Sequence, residues 1–257
     1  MKNIIFLILL GPLLFSQNFQ TKDSLKVLAK SNFKSMEVFE NKNGKLTPTR
    51  NYSYDKNKNE ITIKNVSDKN KEWIKTVVQL DDTYRIIQEN KIIEGMMISE
   101  KENKLVKKQV SKIKQYTYVY NSIQIESYNN EGHLYKKEFN LVDDKDRLIY
   151  STLLLNASSD IVVAQTERYN WIDNNSYDYE KLTFNAPKSR VEGVYKLNPY
   201  GDRHSFKGSM TINDKTELLD FSLEEKIKKF DSKGNLMKIY ILDNGKENIL
   251  EKRKIVY

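Results

Sequence analysis

The sequence predicts an all-β chain: an antiparallel hairpin meander of roughly a dozen strands in a twisted or curved sheet, entered through one short helix. Three observations carry that expectation. Apolar and polar residues alternate over short stretches, those stretches favour β-branched and aromatic side chains, and clusters of Asn, Asp and Gly separate them.

Taken in chain order, Met1 to Asn3 is a short positive start, Ile4 to Phe15 is an apolar run broken by Gly11-Pro12, and Ser16-Gln17 opens a polar stretch. This order predicts a secretory signal peptide over residues 1–16, because a spanning helix needs about 20 apolar residues. The remainder, residues 17–257, reads as a single β-rich domain with a candidate subdivision near 156–160. Export places it in the periplasm or on the outer surface of a Gram-negative bacterium. The chain has no cysteine, which excludes a lipid-anchored N-terminal cysteine, a disulfide framework, a thiolate metal site and a cysteine nucleophile. Stability then rests on core packing and strand pairing alone.

Residues 21–34 place Leu25 and Leu28 at helical spacing behind Asp23 and Ser24, the expected helix. From Met36 onward the period is two. Ile61 and Ile63 share a parity, as do Ile74, Val78 and Leu80, then Tyr116, Tyr118 and Tyr120, and later Leu236, Tyr240 and Leu242. The last such set, Ile249, Arg253 and Tyr257, brings the chain to its end. Between strands, Phe39 to Leu46, Tyr128 to Leu134 and Phe230 to Leu236 follow one plan, in which an aromatic ends a strand, polar residues turn, a Gly takes a positive φ and a Leu begins the return. Looser copies run from Tyr54 to Ile61, Leu80 to Ile86, Leu141 to Leu148 and Leu242 to Ile249.

The segments Tyr128-Asn-Asn-Glu-Gly132-His-Leu134 and Phe230-Asp-Ser-Lys-Gly234-Asn-Leu236 resemble the tyrosine–aspartate (YD) repeat. Such repeats build extended antiparallel sheets in bacterial surface and toxin-shell proteins, and degenerate arrays occur in exported proteins of Bacteroidetes-type bacteria. The resemblance implies architecture and no catalytic residue.

The formal charge is +8, yet only seven of the 43 basic residues are Arg. Arg is the side chain that grips phosphate with two bonds at once, so this balance describes a lysine-rich solvated surface and argues against nucleic acid. The two histidines, His133 and His204, fall in polar connections, and no nucleophile elbow, zinc helix, phosphate-cradling loop or calcium loop is present. These readings predict no catalytic residue, no metal and no cofactor. Two stretches are candidate binding surfaces. Lys107 and Lys108, within a lysine-rich run, precede Tyr116, Tyr118 and Tyr120; Tyr169, Trp171, Tyr177 and Tyr179 surround a turn as a candidate sugar-stacking rim. The bland reading is a lysine-protected edge strand for the first and a hairpin packing its own aromatics for the second. The expected function is an exported envelope or cell-surface binding protein that contacts polysaccharide, lipid or another envelope protein along its sheet. A periplasmic carrier with a curved apolar face for lipid or lipoprotein is the alternative, and an envelope hydrolase ranks below both.

Overall fold

The computed structural model describes residues 25–66, 73–98, 105–157, 160–185 and 187–257; the expected signal peptide lies outside them. A single helical turn and a half, α1 (25–30), precedes seventeen strands. These are β1 (Ser35–Lys42), β2 (Lys45–Asp55), β3 (Glu60–Asn65), β4 (Trp73–Leu80), β5 (Ile86–Ile98), β6 (Leu105–Val119), β7 (Ser122–Tyr128), β8 (Leu134–Val142) and β9 (Leu148–Ala157), followed by β10 (Asp160–Trp171), β11 (Ser176–Thr183), β12 (Ser189–Leu197), β13 (Arg203–Ile212), β14 (Lys215–Ser222), β15 (Ile227–Phe230), β16 (Leu236–Asp243) and β17 (Lys246–Val256). The all-β meander is as expected, with more strands than the dozen anticipated, because several turns lack the Gly that marks the others. Every ladder is antiparallel. The pairing of β9 with β10 runs from Ala157↔Asp160 to Tyr150↔Arg168, so one sheet crosses the candidate subdivision.

Strand β1 pairs with both β2 and β17. The ladder therefore runs β15-β16-β17-β1-β2 and onward through β14, and its two ends are joined only by residues 223–226. Seventeen strands laid flat would span about 77 Å at 4.8 Å spacing, whereas that connection reaches at most about 18 Å. The sheet is consequently rolled until its two ends lie within that reach, with no ladder joining β14 to β15. Alternation of direction along the ladder makes β14 and β15 run the same way. They are two segments of one course through the wall, the first paired with β13 and the second with β16. A seam contact holds them: Leu223 N donates to His204 O at 2.7 Å, and Lys228 Nζ lies 2.7 and 2.6 Å from the two oxygens of Asp202.

The rim that carries α1 and the C-terminus, the near rim, is built largely from one turn used repeatedly. In the turns beginning at Asp81, Asp143, Asn198 and Asp231, and at Asn129 on the far rim, the first side chain accepts from the backbone N–H of the third and fifth residues at 2.9–3.0 Å. The fourth residue has positive φ in all five: Tyr84, Gly132, Asp146, Gly201 and Gly234. A register shift brings the flanking residues together, as in Leu80↔Ile86, Tyr128↔Leu134 and Phe230↔Leu236. An Asp carboxylate or Asn carbonyl oxygen supplies what the free N–H groups need, and a residue in the left-handed region closes the turn, Gly or Asp in four cases and Tyr84 in the fifth. The near-rim turns are also tied sideways. Arg85 stacks over Tyr118, Arg147 over Trp171, Asp202 meets Lys228, and Asn235 donates to Tyr257 Oη.

Tracing cross-strand partners around the sheet shows that one face is inward throughout, and it bears two separate apolar clusters. The first lies on β1–β7, where Met36, Val38, Ile61, Val78 and Ile125 close around Leu28, Ala29 and Phe33 of the α1 segment. The second lies on β10–β14, where Tyr169, Tyr177, Tyr179, Tyr195 and Phe206 pack with Val191, Met210 and Leu219. Between and above them the inward face is charged, and most of these charges lie in ion pairs, Lys91 opposite Lys112 being the exception. Lys114 faces Glu89, Lys136 faces Glu138, Lys181 faces Glu167, and Arg50 and Arg253 face Glu40 and Glu251.

Candidate functional site

The aromatic residues singled out by sequence spacing fall on the inward face. Tyr116 is buried and donates to Glu89 Oε1 at 2.7 Å; burial, then the adjacent carboxylate, push its phenol well up. Tyr118 donates to Ile86 O at 3.0 Å under the Arg85 guanidinium, and burial pushes it up to about 12. Tyr120 sits apart, fully exposed in the β6–β7 turn with φ near 50°. Lys107 and Lys108 belong to β6, but their side chains lie outside the described residues. Along the lysine run β6 pairs with β5 alone, and its ladder with β7 begins only at Ile113, so Lys107, Lys108 and Lys112 stand on a stretch with one unpaired side among the described residues, as the edge-strand reading has it.

Tyr169, Tyr177 and Tyr179 are buried side by side, with ring centroids 5.3–6.4 Å apart, and Trp171 leans on Tyr177 while its Nε1 donates to Leu148 O at 2.9 Å. Tyr169, Tyr177 and Tyr179 are core and the partly buried Trp171 packs against them, a hairpin packing its own aromatics in an arc that has no helix among the described residues to fill it. Arg203 fills the remaining space. Its Nε donates to Tyr177 Oη at 2.7 Å and its guanidinium carbon lies 4.3 Å from the Tyr195 ring centre and 5.1 Å from that of Tyr179. Above them Tyr169 Oη donates to Glu167, which also faces Gln165 and Lys181. Burial, then the Glu167 charge, raise the Tyr169 phenol far above its ordinary value, while burial lowers the Lys181 ammonium. Strands β12 and β13 approach closely here because Gly193 faces Gly208; a Cβ on Gly208 would sit 2.1 Å from Glu192 O.

On the outward side of the same strands lies an open trough of about 1120 Å³. Its rows follow the register: Arg168↔Glu180, Glu180↔Glu192, Glu192↔Ser209 and Ser209↔Leu218 in one, with Asn170↔Asp178 and Lys207↔Asp220 in the next. Directly opposed Glu180 and Glu192 are bridged by Arg190 Nη2, at 2.9 and 2.7 Å, and Arg168 Nη2 reaches the other oxygen of Glu180 at 2.7 Å. Beside the trough, Phe139, Leu141, Tyr150, Ile161 and Val163 leave the outer face apolar and open. Sequence inspection missed the trough, because its residues are brought into rows only by cross-strand register. The alternation of charges along β10–β12 was the available signal.

The two histidines occupy opposite rims. His133 is largely exposed on the far rim, with Nδ1 3.3 Å from Glu131 Oε2, and His204 is the second residue of β13 at the near rim. Among the described residues, no group of three or more His, Cys, Asp or Glu side chains is placed to hold a metal ion.

No family model and no curated protein matches the chain. Among solved structures it is similar to a porin-like protein from Bacteroides uniformis ATCC 8492, at 8% identity over 87% of this chain and 97% of that one, with a TM-score of 0.36.

Proposed function

We propose that this is an exported, non-catalytic binding protein of the Gram-negative envelope that takes a polar ligand, in first place a polysaccharide segment, along the outward trough of β10–β13. The carrying observation is the Arg168-Glu180-Arg190-Glu192 row, which presents planar donors and acceptors at strand spacing to open solvent. Vicinal hydroxyls of a sugar pair with such groups two at a time. The trough's own charges nearly cancel, which favours a neutral or zwitterionic chain over a polyanion and fits the earlier argument against nucleic acid. The signal-peptide pattern of residues 1–16 and the YD-like turns support an envelope setting. A carrier for lipid needs a continuous apolar wall, and the inward face instead alternates two sealed clusters with ion pairs. Histidines on opposite rims, and carboxylates already bridged by Arg190, favour binding over hydrolysis.

Titration calorimetry against a panel of neutral, zwitterionic and acidic oligosaccharides tests this reading. Binding to one of the first two classes that falls roughly tenfold or more in Arg190→Ala is the expected result. Equal binding by Arg190→Ala and the parent chain, or binding to acidic chains alone, would overturn it.

A further inference from the structure

We infer that β14 is a pairing edge for a second copy of this chain, forming a closed two-fold dimer through a continuous sheet. Strand β14 pairs with β13 alone. The course of the wall passes to β15 before the next ladder begins, so the opposite edge of β14 faces no strand among the described residues. Because Leu223 N donates to His204 O, opposite neighbours in an antiparallel ladder alternate such that Thr216, Leu218, Asp220 and Ser222 aim their backbone groups away from β13. This edge has no proline and no register shift, two of the usual devices that blunt an open edge. Leu218, on its outward face, is 84% exposed.

Self-pairing is favoured by charge. With the two-fold axis at Leu218, that residue meets its own copy, Thr216 meets Asp220, Lys215 meets Phe221 and Glu217 meets Leu219, so no like charges are directly opposed. The outward backbone groups of Thr216, Leu218 and Asp220 then all exchange bonds across the axis. Shifting the axis by one residue toward the β13–β14 turn would oppose Glu217 to itself, and shifting it to Asp220 would oppose two aspartates. An isologous contact of this kind closes after two copies and does not propagate.

Sedimentation or light scattering of the purified chain over a dilution series is expected to show a monomer–dimer equilibrium. Leu218→Lys should raise its dissociation constant roughly tenfold or more, with circular dichroism unchanged. Thr216→Pro removes an outward N–H without touching the β13 ladder and is expected to do the same. Register is read separately, since the chain has no cysteine of its own. Leu218→Cys should link to its copy under mild oxidation across about 5.5 Å between Cα atoms, whereas Asp220→Cys, about 14 Å from its copy, should not. A chain that stays monomeric at every concentration overturns the proposal, as does a dimer unaffected by Leu218→Lys and unlinked by Leu218→Cys. Capture of an extended peptide at this edge by a chain that does not self-associate likewise overturns it. Leu218 also lines the trough, so Thr216→Pro, which lies outside it, separates loss of self-association from loss of the trough.

Discussion

Two arcs of the same wall solve the same problem with different materials. On β1–β7 the centre of the inward face is mainly aliphatic, with Tyr52, Tyr54, Tyr116 and Tyr118 around it, and is sealed by a segment from outside the sheet, with Leu28, Ala29 and Phe33 all buried against it. On β10–β14 nothing from outside the sheet arrives among the described residues, and tyrosines, Phe206 and the Arg203 guanidinium fill the interior. Aliphatic strands leave a wide hollow that needs a plug, whereas long aromatic side chains span the hollow from the wall itself. The hydroxyl ends that come with tyrosine then require partners, which accounts for Glu167 and Arg203 inside an otherwise apolar cluster.

The largest effect is expected in the plugged arc. Phe33 stacks on Tyr54 at 5.7 Å and is almost wholly enclosed, so Phe33→Ala should lower stability by about 4 kcal/mol. Denaturant titration measures the loss, and hydrogen exchange followed by peptide locates it. If the arcs are separate cores, protection should fall first on β1–β4 while β11–β13 keeps its own; simultaneous loss in both would break the comparison.

In the tyrosine arc, Arg203→Ala removes both the donor to Tyr177 Oη and the cation among the rings. An expected loss of about 3 kcal/mol combines the cavity with buried hydroxyls left unpartnered. Arg203→Lys keeps charge but not the planar stack, and should recover less than half of it. Full recovery would show that charge alone matters there. Gly208→Ala follows at about 2 kcal/mol, since the added carbon collides with Glu192 O and the strands must part. A neutral result would mean the close approach of β12 and β13 contributes nothing to the ring packing beneath it.

Much of this division was legible beforehand, and the illegible part has a definite cause. Alternation and turn chemistry report on a residue and its near neighbours, so the strands around Ile61, Val78 and Leu236 and the turns at Asn129 and Asp231 could be read directly. Which face becomes interior depends on closure, and closure depends on β1 pairing with β17 across more than two hundred residues. Tyr116, Tyr118, Tyr169, Tyr177 and Tyr179 therefore show the same spacing whether they line a surface or fill a tube. The turn at Asn198 was passed over because Arg203 stands where the other copies carry an apolar residue, although Gly201 occupies the expected position.

The smallest effect bears on the near rim that both arcs share. Asp81 accepts from Thr83 and Arg85 backbone N–H groups, the Thr83 hydroxyl and Arg85 Nε; burial works against its charge, but these bonds prevail and hold it at about 2. A carboxyl held below its unfolded value stabilises the fold fully above that value, and the contribution fades as pH falls from about 4 toward 2. Because the group is partly open to solvent, about 1 kcal/mol is expected after allowing for screening. Denaturation midpoints between pH 5 and pH 2 should therefore fall less steeply in Asp81→Asn than in the parent chain. The amide keeps one acceptor for the turn but has no proton to gain, and it gives up the ion pair that places Arg85 over Tyr118 in the plugged arc. If both chains lose stability in parallel, the turn is held by its backbone geometry alone, and the rim joins the two arcs without charge.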